Sequence, residues 1–159
     1  MNKTYLLLGS NLGNSRHQLQ DAIKHIESRI GKVLRSSAIY KTAAWGKTDQ
    51  PDFFNQVIII KSKLNTEETM KTILSIEEMM GRKRTEKNAP RSIDIDILFY
   101  DNEKLETEFL TIPHPLIQKR RFVLTPLNEL TPKFVHPTLH KTIKQLLVEC
   151  PDMLDVKKI

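Results

Sequence analysis

Two stretches of helical periodicity, each framed by short apolar runs, constrain this chain more than any other feature. Leu19, Ala22, Ile23, Ile26 and Ile30 recur at helical spacing, as do Met70, Ile73, Leu74, Ile76 and Met80. Ahead of the first lies Tyr5-Leu6-Leu7-Leu8, a buried-strand pattern halted by Gly9-Ser10-Asn11. Residues 33–40 and the Val/Ile-rich residues 53–64 read as strands between the two helices, and residues 93–100 as a strand after them. Ser15 and Thr66 predict the helix starts, and Gly31 and Gly81 the stops.

The resulting order, β-α-β-β-α-β, is the ferredoxin-like supersecondary pattern. The expected class is α+β, a ferredoxin-like β-α-β-β-α-β core with a Pro-rich C-terminal extension. In that extension Pro113, Pro115, Pro126, Pro132 and Pro137 interrupt long elements and leave short helices over residues 116–122 and 138–148. Residues 41–52 hold little periodicity and read as a long functional loop. A length of 159 residues suits one hydrophobic core, so residues 1–159 are expected to form a single domain.

No stretch approaches membrane-spanning length, and the first residues carry no long apolar region, which predicts an unexported, cytoplasmic protein with no membrane partner. The lone Cys150 has no intrachain partner and is expected to be buried and inert, in keeping with a reducing compartment. A formal charge of +6 points to an anionic partner without naming its class. Arg82, Lys83, Arg84, Lys87 and Arg91 are offset within their segment by Glu86 alone, which suits either a solvated loop or a polyphosphate clamp.

Asp94-Ile95-Asp96 is the most informative triplet. Residues two apart on a strand share a face, with Cα atoms ~6.6 Å apart. Two carboxylates so placed can share hard cations, which take carboxylate, phosphate and water oxygens together. Ile93 and Ile95 should face the core and hold the acids rigid. An isolated Asp-X-Asp equally suits a solvated face, but Arg91 stands three residues before Asp94, and a cation beside a di-acid is what polyphosphate with metal requires.

The stretch Lys87-Asn88-Ala89-Pro90-Arg91-Ser92-Ile93-Asp94-Ile95-Asp96-Ile97-Leu98 resembles the defining motif of the 6-hydroxymethyl-7,8-dihydropterin pyrophosphokinase family. The likeness continues through Gly9-Ser10-Asn11-Leu12-Gly13, Gln50-Pro51-Asp52-Phe53-Phe54-Asn55, Gly81-Arg82-Lys83-Arg84, Pro113-His114-Pro115 and Arg120-Arg121-Phe122. The resemblance implies diphosphate transfer from the co-substrate ATP to the pterin hydroxymethyl oxygen, giving AMP and a folate precursor. It also implies two Mg²⁺ ions; no nucleic-acid partner is expected, and the chain is expected to act as a monomer.

By position, the resemblance implies that Asp94 and Asp96 bind the metals, and that Arg82 and Arg91 neutralise the transferred diphosphate. Arg84, Thr111, His114 and Arg120 would contact ATP. Phe53 and Phe122 would sandwich the pterin, Asn55 would match its mixed donor–acceptor edge, and Thr42 and Trp45 would complete the pocket. Each has a plainer alternative: the two phenylalanines as core, His114 as a backbone-bonded ring. Glu77 is either a surface helix acid or a part of the nucleotide site. Gly9–Gly13 lacks the Gly-Lys-Ser/Thr ending of a phosphate loop and reads as a turn supporting the pocket.

Three departures from the family pattern stand out. Asn88-Ala89 occupies the place of a Trp-Gly pair, Ala43-Ala44 that of two prolines, and Phe109 that of an arginine. An RNA-recognition domain shares the element order and the basic charge, but it needs exposed aromatics in an RNP1-like run that neither residues 53–64 nor 93–100 supply. A nucleotidyltransferase or phosphodiesterase would use the di-acid but leave the aromatics and Asn55 without a purpose.

Overall fold

The computed structural model describes residues 1–42, 51–81 and 92–159. Its elements in chain order are β1 (Asn2–Ser10), α1 (Ser15–Arg29), β2 (Gly31–Ser36), β3 (Tyr40–Thr42), β4 (Phe53–Ser62), α2 (Thr66–Met79) and β5 (Asp94–Tyr100). They continue with β6 (Leu105–Glu106), β7 (Thr111–Ile112), a 3₁₀ turn (Ile117–Lys119), α3 (Arg121–Leu130), α4 (Ile143–Val148) and β8 (Val156–Lys158). The fold is mixed α and β on an antiparallel sheet. The main sheet runs β5-β1-β4-β3-β8, with β2 also paired to β4, and β6-β7 form a separate hairpin.

Strand alternation gives the sheet two apolar faces, and both are covered. Leu6 and Leu8, Ile58 and Ile60, and Ile95 and Ile97 point to α1 and α2, where they meet Leu19, Ile26, Ile73 and Ile76. Tyr5, Leu7, Val57, Ile59 and Leu98 point the other way, onto Val123, Leu124 and Leu127 of α3 and Ile143 and Leu146 of α4. The Pro-containing tail is thus the second cover of the sheet. Cys150 is buried in that cluster. Among the described residues no helix is long and apolar enough to cross a membrane.

Several local expectations are corrected. Asn14, not Ser15, caps α1, its side chain accepting from the His17 amide, while Ser15 is the first helical residue and its hydroxyl accepts from Ser10. α2 does begin at Thr66, as expected, with Asn65 capping it in a reciprocal box with Glu68. Ile30 is the C-cap of α1 and Gly31 begins β2, where an added Cβ would collide with the Lys61 carbonyl oxygen, so the glycine serves close strand approach. Gly81, at φ 84°, does follow α2 in the left-handed region.

Residues 33–40 are two strands rather than one. Ser37 breaks them: its amide donates to the Val57 carbonyl and its hydroxyl accepts from the Val57 amide. The helix expected over residues 138–148 covers only Ile143–Val148, capped by Thr142. Of residues 116–122 only Ile117–Lys119 forms a short turn, and α3 then runs through Pro126. Proline inside the helix removes one donor and crowds the Phe122 carbonyl, and burial of Val123, Leu124, Leu127 and Leu130 outweighs that cost.

Candidate functional site

The sheet register assembles the site. Asp94, Gly9, Asn55 and Tyr40 form one row across β5, β1, β4 and β3, and Asp96 lies beside Leu7 two residues deeper. Asp94 and Asp96 share the face of Leu98, and Phe53 and Asn55 share that of Val57, so all four project towards α3. Strand spacing sets the backbones of Asp94 and Asn55 ~10 Å apart. Ile93 and Ile95 are buried on the opposite face, as the alternation requires.

Gly9 keeps the row open. A Cβ there would lie 2.8 Å from Asn55 Oδ1, so the Asn55 amide leans over the glycine, and Asn55 is only 3% exposed. Gly9 and Ser10 still belong to β1, and the turn itself begins at Asn11, whose Nδ2 donates to the Pro51 carbonyl at 3.2 Å. That bond anchors the entry to β4 just ahead of Phe53. Phe53 is half-buried at the start of β4, and Phe122, half-buried in the first turn of α3, packs on the second core cluster. The Arg120 guanidinium lies 5.6 Å from the Phe122 ring centre.

Thr42 pairs with Phe53, and its hydroxyl donates to the Asp155 carbonyl at 3.1 Å, tying β8 to this end of the site. Tyr40 donates to Glu129 of α3 at 2.6 Å; burial first, then that carboxylate, push its pKa up to about 12. Asp152 accepts from the Arg121 amide, and Arg121 Nε donates to the Asp152 carbonyl, which fixes the start of α3 beneath Phe122.

Glu77 is not a surface acid. It is 2% exposed, and its Oε2 accepts from the Ile95 amide at 2.8 Å, the main-chain donor between the two aspartates. β5 is an edge strand, so this bond satisfies an outward amide with a carboxyl oxygen and sets the strand against α2. A cavity of about 460 Å³ opens there, lined by Ile73, Leu74, Glu77, Asp96, Thr111 and His114 among others. Thus Glu77, Thr111, His114 and Asp96 share one cavity.

His114 is held by two backbone bonds: its amide donates to the Leu98 carbonyl, and its Nδ1 accepts from the Leu116 amide at 3.2 Å. Burial, then the Arg120 charge, lower its pKa to about 4 against an opposing effect of Asp94. The ring is neutral at physiological pH, and the occupied Nδ1 puts its proton on Nε2. The same balance places Arg120 and Asp94 beside it. His114 is thus a backbone-bonded ring that also lines the cavity beside Asp96.

Arg82, Arg84, Arg91 and Trp45, with the substituted positions 43–44 and 88–89, lie outside the described residues. Reading the sequence missed Gly9 as the space for Asn55, the β6–β7 hairpin as a cavity wall, and the Thr42–Asp155 tie. The GSN run flagged the first; two-residue strands and a contact across 113 positions leave no local pattern.

An antiparallel sheet with helices on both faces is also the fold of known solved proteins. The Plasmodium falciparum HPPK-DHPS wild-type crystal structure with SDX-DHP superposes with a TM-score of 0.74 at 21% identity, over 94% of this chain and 43% of that one. The sequence profile of 7,8-dihydro-6-hydroxymethylpterin-pyrophosphokinase (HPPK) matches residues 5–132, and the chain belongs to that family. A Synechocystis sp. relative named 2-amino-4-hydroxy-6-hydroxymethyldihydropteridine pyrophosphokinase is 42% identical over 90% of this chain and 74% of its own length. An Aquifex aeolicus relative of the same name is 38% identical over 94% and 92%. The Dictyostelium discoideum folic acid synthesis protein FOL1 is 36% identical over 95% of this chain, which spans 23% of that protein.

Proposed function

We propose that this chain transfers diphosphate from ATP to the hydroxymethyl oxygen of 6-hydroxymethyl-7,8-dihydropterin, giving AMP and the pterin diphosphate in folate biosynthesis. The observation that carries the reading is the row Asp94–Gly9–Asn55, which sets an acid pair and a pterin-type amide on one sheet face across a glycine. Family membership supplies the chemistry. The core is the ferredoxin-like arrangement of a single cytoplasmic domain, supported by β1, β2, β4 and β5 in the sheet order β5-β1-β4-β2 with α1 and α2 on one face.

ATP occupies the cavity between α2, β5 and the β6–β7 hairpin, with its phosphates at the Asp96 and His114 end. Hard carboxylate oxygens suit Mg²⁺, which needs only one or two from the protein, so Asp94 and Asp96 fit two ions although among the described residues no cluster of three or more acids, histidines or cysteines forms. Bound there, Mg²⁺ would neutralise the phosphates and polarise the attacked phosphorus. Arg120, with Arg82, Arg84 and Arg91 by their place in the family motif, offsets further charge. His114 donates from Nε2 as a neutral ring, adding a hydrogen bond with no titration near neutral pH. Phe53 and Phe122 hold the pterin by stacking, Asn55 reads its edge, and Thr42 and Trp45 close the pocket. Glu77 acts on the nucleotide site through Ile95, by fixing the strand that carries both aspartates.

Incubation with ATP, Mg²⁺ and the reduced pterin alcohol tests this directly. The expected nucleotide product is AMP. Formation of ADP, or no pterin-dependent loss of ATP, would overturn the reading.

A further inference from the structure

Two large apolar side chains that the fold leaves in solvent meet at one cavity. Phe109 is 77% exposed and Leu74 is 43% exposed, and both line the cavity flanked by α2 and the β6–β7 hairpin. Single exposed apolar residues are ordinary, but two from separate elements on one mouth form an unfilled apolar slot.

The element carrying Phe109 is held in shape. Thr107 amide and hydroxyl both donate to the Leu110 carbonyl, at 2.9 and 3.0 Å, and the Leu110 amide donates back to Thr107 Oγ1 at 3.0 Å. The two tip residues, Glu108 and Phe109, are therefore presented by a closed four-residue turn. Met70 and Leu110 continue the apolar lining. The acid Glu108 stands at the hairpin end of the cavity, whereas Asp96 and the neutral His114 ring, with Arg120 beside it, stand at the other. With its phosphates at the Asp96 and His114 end, as proposed above, a bound nucleotide turns its flat base towards Phe109 and Leu74.

We infer that Phe109 is a base-stacking residue, covering the nucleobase of the bound nucleotide against the Leu74 wall. The inference rests on the assignment of this cavity to ATP. Stacking on a π face adds affinity through the base alone and tolerates different bases, so it secures the nucleotide without reading its identity.

Calorimetry on the full chain separates the base from the phosphates, using α,β-methylene-ATP and inorganic triphosphate, each with Mg²⁺. Phe109→Ala should raise Kd for the ATP analogue about 5- to 10-fold and leave that for inorganic triphosphate unchanged. Phe109→Tyr should restore the affinity, and Phe109→Leu should restore it only in part. KM for ATP should rise with kcat preserved. Equal losses for both ligands, or a Phe109→Ala protein that binds the analogue as wild type does, overturn the inference while leaving the assignment of the cavity intact. A wild-type protein that binds inorganic triphosphate but gains nothing from the nucleoside, or that binds neither, overturns both.

Discussion

Replacing Gly9 by alanine tests the geometry of the central row more sharply than removal of any charged residue. The new methyl carbon would stand 2.8 Å from Asn55 Oδ1. Ordinary van der Waals contact begins near ~3.4 Å, so the amide must retreat by ~0.6 Å or rotate, and a buried side chain has little room to do so. The obstructing atom is a side-chain end rather than backbone, so the strand should survive. Overpacking costs ~1–2 kcal/mol, against which the removal of a strand glycine returns ~0.5–1 kcal/mol. Net stability should fall by ~1.5 kcal/mol or less. Pterin affinity should suffer more, because misplacing an amide that makes one or two hydrogen bonds costs ~1–3 kcal/mol, or ~5- to 150-fold in Kd. A double-mutant cycle with Asn55→Ala, read by pterin calorimetry and urea unfolding, isolates the coupling. If Gly9→Ala weakens pterin binding as much in the Asn55→Ala background as in wild type, Asn55 is not the route and the reasoning fails.

Asp94→Asn or Asp96→Asn should nearly abolish turnover and leave the unfolding midpoint almost unchanged, since each keeps side-chain volume; wild-type turnover at low Mg²⁺ would refute the metal role. Phe122→Ala should weaken pterin more than ATP, by ~0.5–1.5 kcal/mol beyond lost area, and equal losses in calorimetry would make it a core residue only. Glu77→Ala should destabilise by ~1–3 kcal/mol, because it strands the Ile95 amide, whereas a surface helix acid would move urea unfolding by less than ~0.5 kcal/mol. The unfolded His114 takes its proton near pH 6.5 and the native ring only near pH 4, so its contribution to stability is complete above ~6.5 and is lost as pH falls from there to about 4. That loss is ~3 kcal/mol at most, and the stability difference between wild type and His114→Asn should change over this window and be flat above it.

The core was legible because its signals are local and periodic. Leu19 to Ile30 and Ile73 to Met80 declare helices by spacing, and Asp94-Ile95-Asp96 declares a two-faced strand by alternation. The boundaries were less so. A hydroxyl can stand in for a backbone partner, as Ser37 does when it divides two strands, and a cap is fixed by which side chain reaches the amide, so Asn14 and Ser15 are equivalent until the chain turns. α3 was hidden because Pro126 argues locally against a helix that burial of its apolar face stabilises. Within the site, the residue types were visible but their assembly was not: Gly9 gains its meaning from Asn55, and Glu77 from Ile95, only once strands are in register.

The strand β8 occupies the outer side of β3, with Tyr40, Lys41 and Thr42 matched to Lys158, Lys157 and Val156, and the Ile159 amide donating to the Ile39 carbonyl. It hides a raw sheet edge a few residues from the pterin end of the site. A chain shortened before Asp155 would uncover three main-chain positions able to recruit a strand from another molecule, turning loss of a terminal segment into self-association as well as loss of the Thr42 tie. Fusions that pull on β8 carry the same hazard, whereas Met1 is exposed and outside β1.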